Sequence, residues 1–121
     1  MIDRELIKFE KQLMEDKYPD FKFYQGRTGK LQNVWWFGEI RVNNITYKIG
    51  IRLSDTYPNS RPQVYILDDN FNIKDLDTPH KYKRSLCLYT SDGSGNSWHR
   101  DYRIVNVIER LKDYLYLHQK G

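Results

Sequence analysis

The clearest pattern in the chain is a strict alternation of apolar and polar positions in its middle. Every second residue there is apolar, namely Ile45, Tyr47, Ile49, Ile51 and Leu53. A period of two is typical of a β-strand with one buried face and one face toward water. The Asn43-Asn44 pair just before this strand predicts a tight turn, so an earlier strand should pair with it.

Three further strands are predicted around this one. Phe21 and Phe23 open the first, which ends at the Gly-containing turn of residues 26–29. The second spans residues 34–42, and the fourth, residues 63–67, follows a proline-rich loop. The short connections favour an antiparallel meander of four strands.

A helix is predicted on each side of the meander. Residues 2–17 carry apolar positions at helical spacing (Ile2, Leu6, Phe9 and Leu13), with Glu10 on the polar side. Pro19 ends this helix. Residues 102–118 carry a second stripe, which consists of Ile104, Val107, Ile108, Leu111 and Leu115. Arg110 is predicted to face water. The fold class is therefore α+β.

Length and composition bound the possible functions. The 121 residues predict one domain, 1–121, and the single cysteine excludes an internal disulfide. The formal charge of +4 is spread among interleaved acids and bases, which argues against a nucleic-acid partner. The charged N-terminus and the lack of a long apolar run predict neither a signal peptide nor a membrane partner. We expect a cytoplasmic protein.

The lone cysteine is the strongest candidate for chemistry. Cys87 lies in an apolar, β-prone run, Ser85-Leu86-Cys87-Leu88-Tyr89, within the otherwise polar residues 68–103. A segment of that length with little regular structure is usually functional. A thiolate is a strong nucleophile, although a free cysteine is also often a small buried hydrophobe. The sequence leaves both interpretations open.

The order of elements and four local motifs resemble the ubiquitin-conjugating enzyme (UBC) fold. The two central strands resemble the second and third strands of that family. The loop Tyr57-Pro58 with Pro62 resembles its Tyr-Pro-x-x-x-Pro loop. His80 upstream of Cys87 is similar to its histidine and active-site cysteine, and Trp98 resembles its downstream tryptophan. The resemblance implies an active-site loop and a C-terminal crossover helix, without the last two helices of the family.

The likeness is greatest to bacterial members associated with cyclic-oligonucleotide antiphage signalling systems (CBASS). Their active site reads roughly His-x-Tyr, Leu-Cys-Leu-Tyr and then Trp, which this chain matches at His80, Tyr82, residues 86–89 and Trp98. The resemblance implies a transferase with a thioester on Cys87. The implied partners are a cGAS/DncV-like nucleotidyltransferase or a ubiquitin-like protein, and a ubiquitin-activating-like enzyme. The asparagine of the eukaryotic His-Pro-Asn motif is absent.

Around catalytic Cys87 we expect a supporting set that consists of His80, Tyr82, Tyr89, Trp98 and His99. His99, Asp92 and Asp101 are the nearby candidates for a general base. The three histidines and one cysteine are too widely spaced for a zinc site, and no phosphate-binding glycine loop is present. We expect neither a metal nor a cofactor.

Three other functions stay open. The first is a catalytically idle domain of the same fold that binds a partner, although it keeps the cysteine. The second is a cysteine hydrolase, which needs a histidine against Cys87 and a third group to orient it. The third is a basic nucleic-acid binder, whose affinity should fall steeply with salt.

Overall fold

A computed structural model describes residues 2–28, 31–75, 83–90 and 95–120. In chain order the helices and strands are α1 (Arg4–Lys17), β1 (Lys22–Thr28), β2 (Leu31–Val42), β3 (Ile45–Leu53), β4 (Gln63–Leu67), a 3-10 turn (Ile73–Asp75), β5 (Lys83–Leu86) and α2 (Ile104–Lys120). The predicted α+β order of helix, antiparallel meander and helix is confirmed. The structure adds one short strand, β5, directly before Cys87.

All five strands form one antiparallel sheet in the order β1-β2-β3-β4-β5. β3 and β4 have the predicted bounds, and β2 starts three residues earlier than predicted. Asn43 and Asn44 form the turn between β2 and β3 with φ of 50° and 70°. Asparagine tolerates this left-handed backbone better than most residues, so it suits a two-residue hairpin turn.

The alternation of the strands gives the sheet two different faces. On the inner face, Trp36, Ile51 and Val64 lie side by side across β2, β3 and β4 and are buried. The helices cover this face. The predicted stripe of α2 is confirmed, because all five of its residues are at most 1% exposed.

The predicted face of α1 is wrong in part. Phe9 is 49% exposed, whereas Glu10 is fully buried together with Ile7 and Met14. The carboxylate of Glu10 has partners inside the protein: it accepts hydrogen bonds from the Tyr57 hydroxyl and from the backbone N–H of Ile104. Burial of a paired carboxylate is tolerated, and a hydropathy pattern does not report such a pair.

The outer face of the sheet carries aromatic and charged side chains. Trp35 stacks on Phe37 with ring centroids 5.3 Å apart and lies 5.4 Å from the ring of Tyr65. Gly50 makes room for this cluster, since a Cβ there would come within 3.2 Å of the Trp35 ring. No helix in the described part of the chain is long and apolar enough to cross a bilayer.

Candidate active site around Cys87

Cys87 is a free thiol at the exposed end of β5. Leu86 pairs with Val64 of β4 and packs against the core, and Leu88 is buried. Because side chains alternate along an extended chain, Cys87 points away from the core between these two leucines. The alternative of a cysteine buried in the core is therefore wrong.

Two arginines fix the backbone that follows the thiol. Arg110 of α2 donates from Nε to the carbonyl of Leu88 at 2.5 Å. Arg61 donates from a terminal nitrogen to the carbonyl of Tyr89 at 2.7 Å. Charge-assisted hydrogen bonds of this kind are stronger than neutral ones, so the segment next to Cys87 is held from two sides.

The prediction that Arg110 faces water is wrong. It is half-buried, and its guanidinium lies 4.5 Å from the centroid of the Tyr89 ring. It also donates to the carbonyl of Asn96 at 3.2 Å, on the far side of the loop. The only signal in the sequence is its place beside the apolar stripe of α2, three residues after Val107.

Trp98 joins the active-site segment to the Tyr-Pro loop. Its ring nitrogen donates to the carbonyl of Pro58 at 2.7 Å. The indole packs edge-on against Tyr89, with centroids 5.2 Å apart, and against Tyr102 at 5.5 Å. Two predicted supporting residues, Tyr89 and Trp98, are therefore in contact with each other and adjoin the segment of Cys87.

Tyr89 is a buried phenol and not a base. Burial raises its pKa to about 12, although the Arg110 charge beside it acts in the opposite direction. Its hydroxyl therefore keeps its proton near neutral pH. Its ring packs against Trp98 and under the guanidinium of Arg110.

A cavity of about 460 Å³ lies beside the thiol on the outer face of the sheet. Among the described residues, its charged lining groups are all cations, and its other polar or aromatic groups come from β2, β4, β5 and the segment after β5. The residues that define its character are Asn33, Trp35, Arg52, Arg61, Gln63, Tyr65, Lys83, Cys87 and Tyr89. Sequence reasoning missed Arg52 and Arg61, because neither lies near Cys87 in the chain.

Of the other predicted site residues, the structure describes His99 but not His80, Tyr82 or Asp92. His99 is exposed, and its Nδ1 accepts a hydrogen bond from the backbone N–H of Asp101 at 3.1 Å. The same Nδ1 is 3.5 Å from the Asp101 carboxylate, a contact that pairs charges only when the imidazole is protonated. Among the described residues that line the cavity, His99 is absent.

Within the described residues, no three His, Cys, Asp or Glu side chains are grouped so that they could hold a metal ion. Beside neutral polar groups, the cavity at the thiol is lined by hydrogen-bond donors from Arg52, Arg61 and Lys83. Such donors bind acceptor-rich, negatively charged groups. The described residues thus place an exposed thiol beside a cationic groove.

Comparison with known families gives a match that covers most of the chain. The family model described as Type II CBASS E2 protein matches residues 10–119, from the middle of α1 almost to the end of α2. Comparison with curated proteins and with solved structures gives no match. The matched range includes Cys87, both arginines that fix its neighbours, and the cavity. The chain thus belongs to the E2-CBASS family, and its role is that of an E2-like protein in CBASS.

Proposed function

We propose that Cys87 accepts the C-terminal acyl group of a donor protein as a thioester and passes it to an acceptor amine or thiol. One observation carries the proposal: the thiol is exposed beside a cavity while the backbone that follows it is anchored by Arg61 and Arg110. An exposed nucleophile on a fixed backbone suits covalent transfer, because positioning lowers the barrier.

The first step is thioester exchange. The Cys87 thiolate attacks the carbonyl carbon of a donor that is already activated as a thioester. A new carbon–sulfur bond forms, the old one breaks, and the carrier leaves as a thiolate that takes up a proton. In the second step an acceptor amine or thiol attacks the same carbon, the carbon–sulfur bond to Cys87 breaks, and the Cys87 thiolate takes up the proton that the acceptor loses.

The donor we propose is a cGAS/DncV-like nucleotidyltransferase or a ubiquitin-like protein, activated by a ubiquitin-activating-like enzyme in the cytoplasm. Membership of a CBASS family supports a donor from the same system. A single free cysteine suits a reducing compartment. We propose Tyr89 and Trp98 as supports of the active-site backbone. His80, Tyr82 and His99 stay predictions for the stabilisation of the oxyanion or for proton transfer.

The test is the intact mass of the protein after co-expression with the genes that neighbour its own. The wild type should carry an adduct that dithiothreitol removes. Cys87→Ala should carry none. Cys87→Ser is the matched control, because an oxygen ester at the same position should give the same added mass but resist dithiothreitol.

The mass of the adduct identifies the donor. An adduct on Cys87→Ala would contradict the proposal. The absence of any adduct, together with equal co-purification of a neighbour by wild type and Cys87→Ala, would also contradict it. The domain would then be a catalytically idle binding module.

A further inference from the structure

A row of side chains crosses the outer face of the sheet from the thiol. Leu86 pairs with Val64, so the next residue, Cys87, falls opposite Gln63. Gln63 pairs with Arg52, and Arg52 pairs with Trp35. Adjacent strands are about 4.8 Å apart, so the backbone of Arg52 lies about 10 Å from that of Cys87. All four residues line the cavity beside the thiol.

The charge of this groove has one sign. Its charged lining groups in the described part of the chain are Arg52, Arg61 and Lys83, and no carboxylate lines it there. Arg52 is half-buried and donates to the side-chain oxygens of Gln63 and Asn33, both at 3.3 Å. These are long bonds to neutral acceptors, and a carboxylate would bind the guanidinium more strongly.

A second donor in the same row lacks an acceptor. The ring nitrogen of Trp35 is buried and has no hydrogen-bond partner in the structure described. Trp35 itself is only 2% exposed. A buried polar group without a partner is uncommon and calls for an explanation such as a bound ligand. Trp35 and Arg52 are neighbours across β2 and β3, and both line the cavity.

We propose that this groove receives the extended C-terminal tail of the acyl donor, and that Arg52 binds an acidic side chain of that tail. An extended chain advances about 3.3 Å per residue, so the 10 Å between Cys87 and Arg52 corresponds to about three residues. The acidic residue therefore lies two to four residues before the one that is joined to Cys87. The inference rests on the proposed function, because the thioester fixes one end of the tail.

A peptide tail fits this groove better than other anions. Whatever is joined to Cys87 must leave the thiol across a neighbouring surface, and this cavity begins at the thiol. An apolar tail would cover Arg52 and the Trp35 ring nitrogen without giving either an acceptor, which is unfavourable. An acidic residue at that place satisfies both groups.

The test uses synthetic peptides and the Cys87→Ala protein, so that no covalent step is needed. The first peptide has seven residues, ends in glycine amide and carries one glutamate three residues before the end. The matched peptide carries glutamine there, and the amide removes the terminal charge. Binding is measured by fluorescence anisotropy, and the Trp35 indole N–H is followed by ¹⁵N NMR.

We expect the glutamate peptide to bind at least about tenfold more tightly than the glutamine peptide, as a charged hydrogen bond implies. It should also shift the indole N–H resonance of Trp35 more than that of Trp98, which is already bonded to Pro58. Both peptides are tested on the same protein. The comparison therefore does not depend on whether a protein with a substitution in the groove folds.

Arg52→Gln should reduce the preference for glutamate to less than about twofold, because it removes the charge that recognises it. Arg41→Gln is the matched control: Arg41 lies on the outer face of β2 but outside this cavity, and it bonds to Asn44. Arg52→Glu should prefer a peptide that carries lysine in place of the glutamate.

Equal binding of the glutamate and glutamine peptides by the wild-type groove would overturn the inference. So would displacement of the peptide by an equal concentration of inorganic phosphate, since that would indicate a general anion site. These results leave the proposed function standing if the thioester adduct forms. An acidic preference without any adduct would instead contradict the proposed function and retain the groove as a binding site.

Discussion

The two faces of the sheet are made by the same strands but differ in what covers them. The inner face, represented by Trp36, Ile51 and Val64, is packed under α1 and α2. The outer face carries an aromatic cluster with Arg52 and Lys83 beside an open cavity. Trp35 and Trp36 are adjacent in the chain and almost equally buried, at 2% and 1% exposure, yet they lie on opposite faces.

This difference indicates that the two faces of the sheet contribute to different properties of the protein. Side chains on the inner side of the sheet contribute to stability through packing and through the buried bonds of Glu10. On the outer face near Cys87, the polar side chains of Arg52 and Lys83 line an open cavity. A substitution on the inner face should therefore mainly change the free energy of unfolding, and one on the outer face should mainly change binding or transfer.

The largest expected effect separates the two adjacent tryptophans. Trp36→Ala should lower the free energy of unfolding by about 4 kcal/mol, because it leaves an enclosed cavity beside Phe23 and the helices. Trp35→Ala should lower it by about 2 kcal/mol, since water can enter the space on the open face. Urea denaturation of both variants measures the difference. Equal losses would contradict the distinction between the faces.

Tyr57→Phe, a change on the inner side of the sheet, should lower the free energy of unfolding by about 2 kcal/mol at neutral pH. The change removes the hydroxyl that donates to the buried carboxylate of Glu10. A charged acceptor that loses a donor is destabilised by about 1.5–3 kcal/mol. The same substitution in a Glu10→Gln background should have a smaller effect, because the acceptor is then neutral. A double-mutant cycle measures this coupling.

The same carboxylate predicts how stability changes with pH. Burial raises the pKa of Glu10 above its ordinary value of 4.5, and the bonds from Tyr57 and Ile104 and the charge of Arg103 only partly offset this. The folded protein therefore holds the proton more tightly than the unfolded chain. The free energy of unfolding should fall as the pH rises from 4.5 to the raised pKa, by at most about 1.4 kcal/mol per pH unit.

Glu10→Gln should lack this component of the pH dependence. The measurement is the difference in the free energy of unfolding between wild type and Glu10→Gln from pH 4 to pH 8. A difference that does not change with pH would show that Glu10 is not buried as a titrating acid. A difference that favours the wild type increasingly at high pH would contradict the direction of the pKa shift.

Arg110→Met should slow thioester formation about tenfold, which corresponds to about 1.4 kcal/mol in the activation free energy. Methionine retains much of the apolar contact with Tyr89 but removes the bonds to the carbonyls of Leu88 and Asn96. The backbone next to Cys87 should then be less well positioned, and thioester formation should slow. The rate of adduct formation measures the effect.

Lys112→Met is the matched control for that prediction. Lys112 is a half-buried cation on the same helix, and it bonds to Tyr18 rather than to the Cys87 segment. Equal slowing by both variants would mean that Arg110 acts only through the stability of α2.

The sequence was sufficient to predict both helices and four of the five strands, because their periods follow from backbone geometry. The alternation in β3 and the stripe of α2 were confirmed for this reason. The short strand β5 was not predicted as a separate element, since Lys83 and Arg84 are too polar to mark it. Pairing with β4 rather than local propensity defines that strand.

The site could be predicted only where the chain itself brings residues together. Cys87, Tyr89 and Trp98 were identified from their local motifs. Arg52, Arg61 and Arg110 were missed because they approach the Cys87 segment or its cavity from β3, from the loop before β4 and from α2. Glu10 was misplaced because its partners, Tyr57 and the N-terminus of α2, are distant in the sequence. Contacts between distant residues depend on the fold and leave no local pattern.

The smallest expected effect is that of Cys87→Ala on stability. Because the thiol is exposed and its leucine neighbours are the ones that pack, the free energy of unfolding should change by less than about 0.5 kcal/mol. Leu88→Ala is the matched comparison: its buried side chain should give a loss of about 2–3 kcal/mol. Both values come from urea denaturation. A loss for Cys87→Ala as large as that for Leu88→Ala would place the thiol among the packing residues of the core. A change of less than about 0.5 kcal/mol for Cys87→Ala would show that the fold does not need the thiol. Together with the loss of the adduct in the same variant, it would mean that Cys87 serves chemistry and not packing.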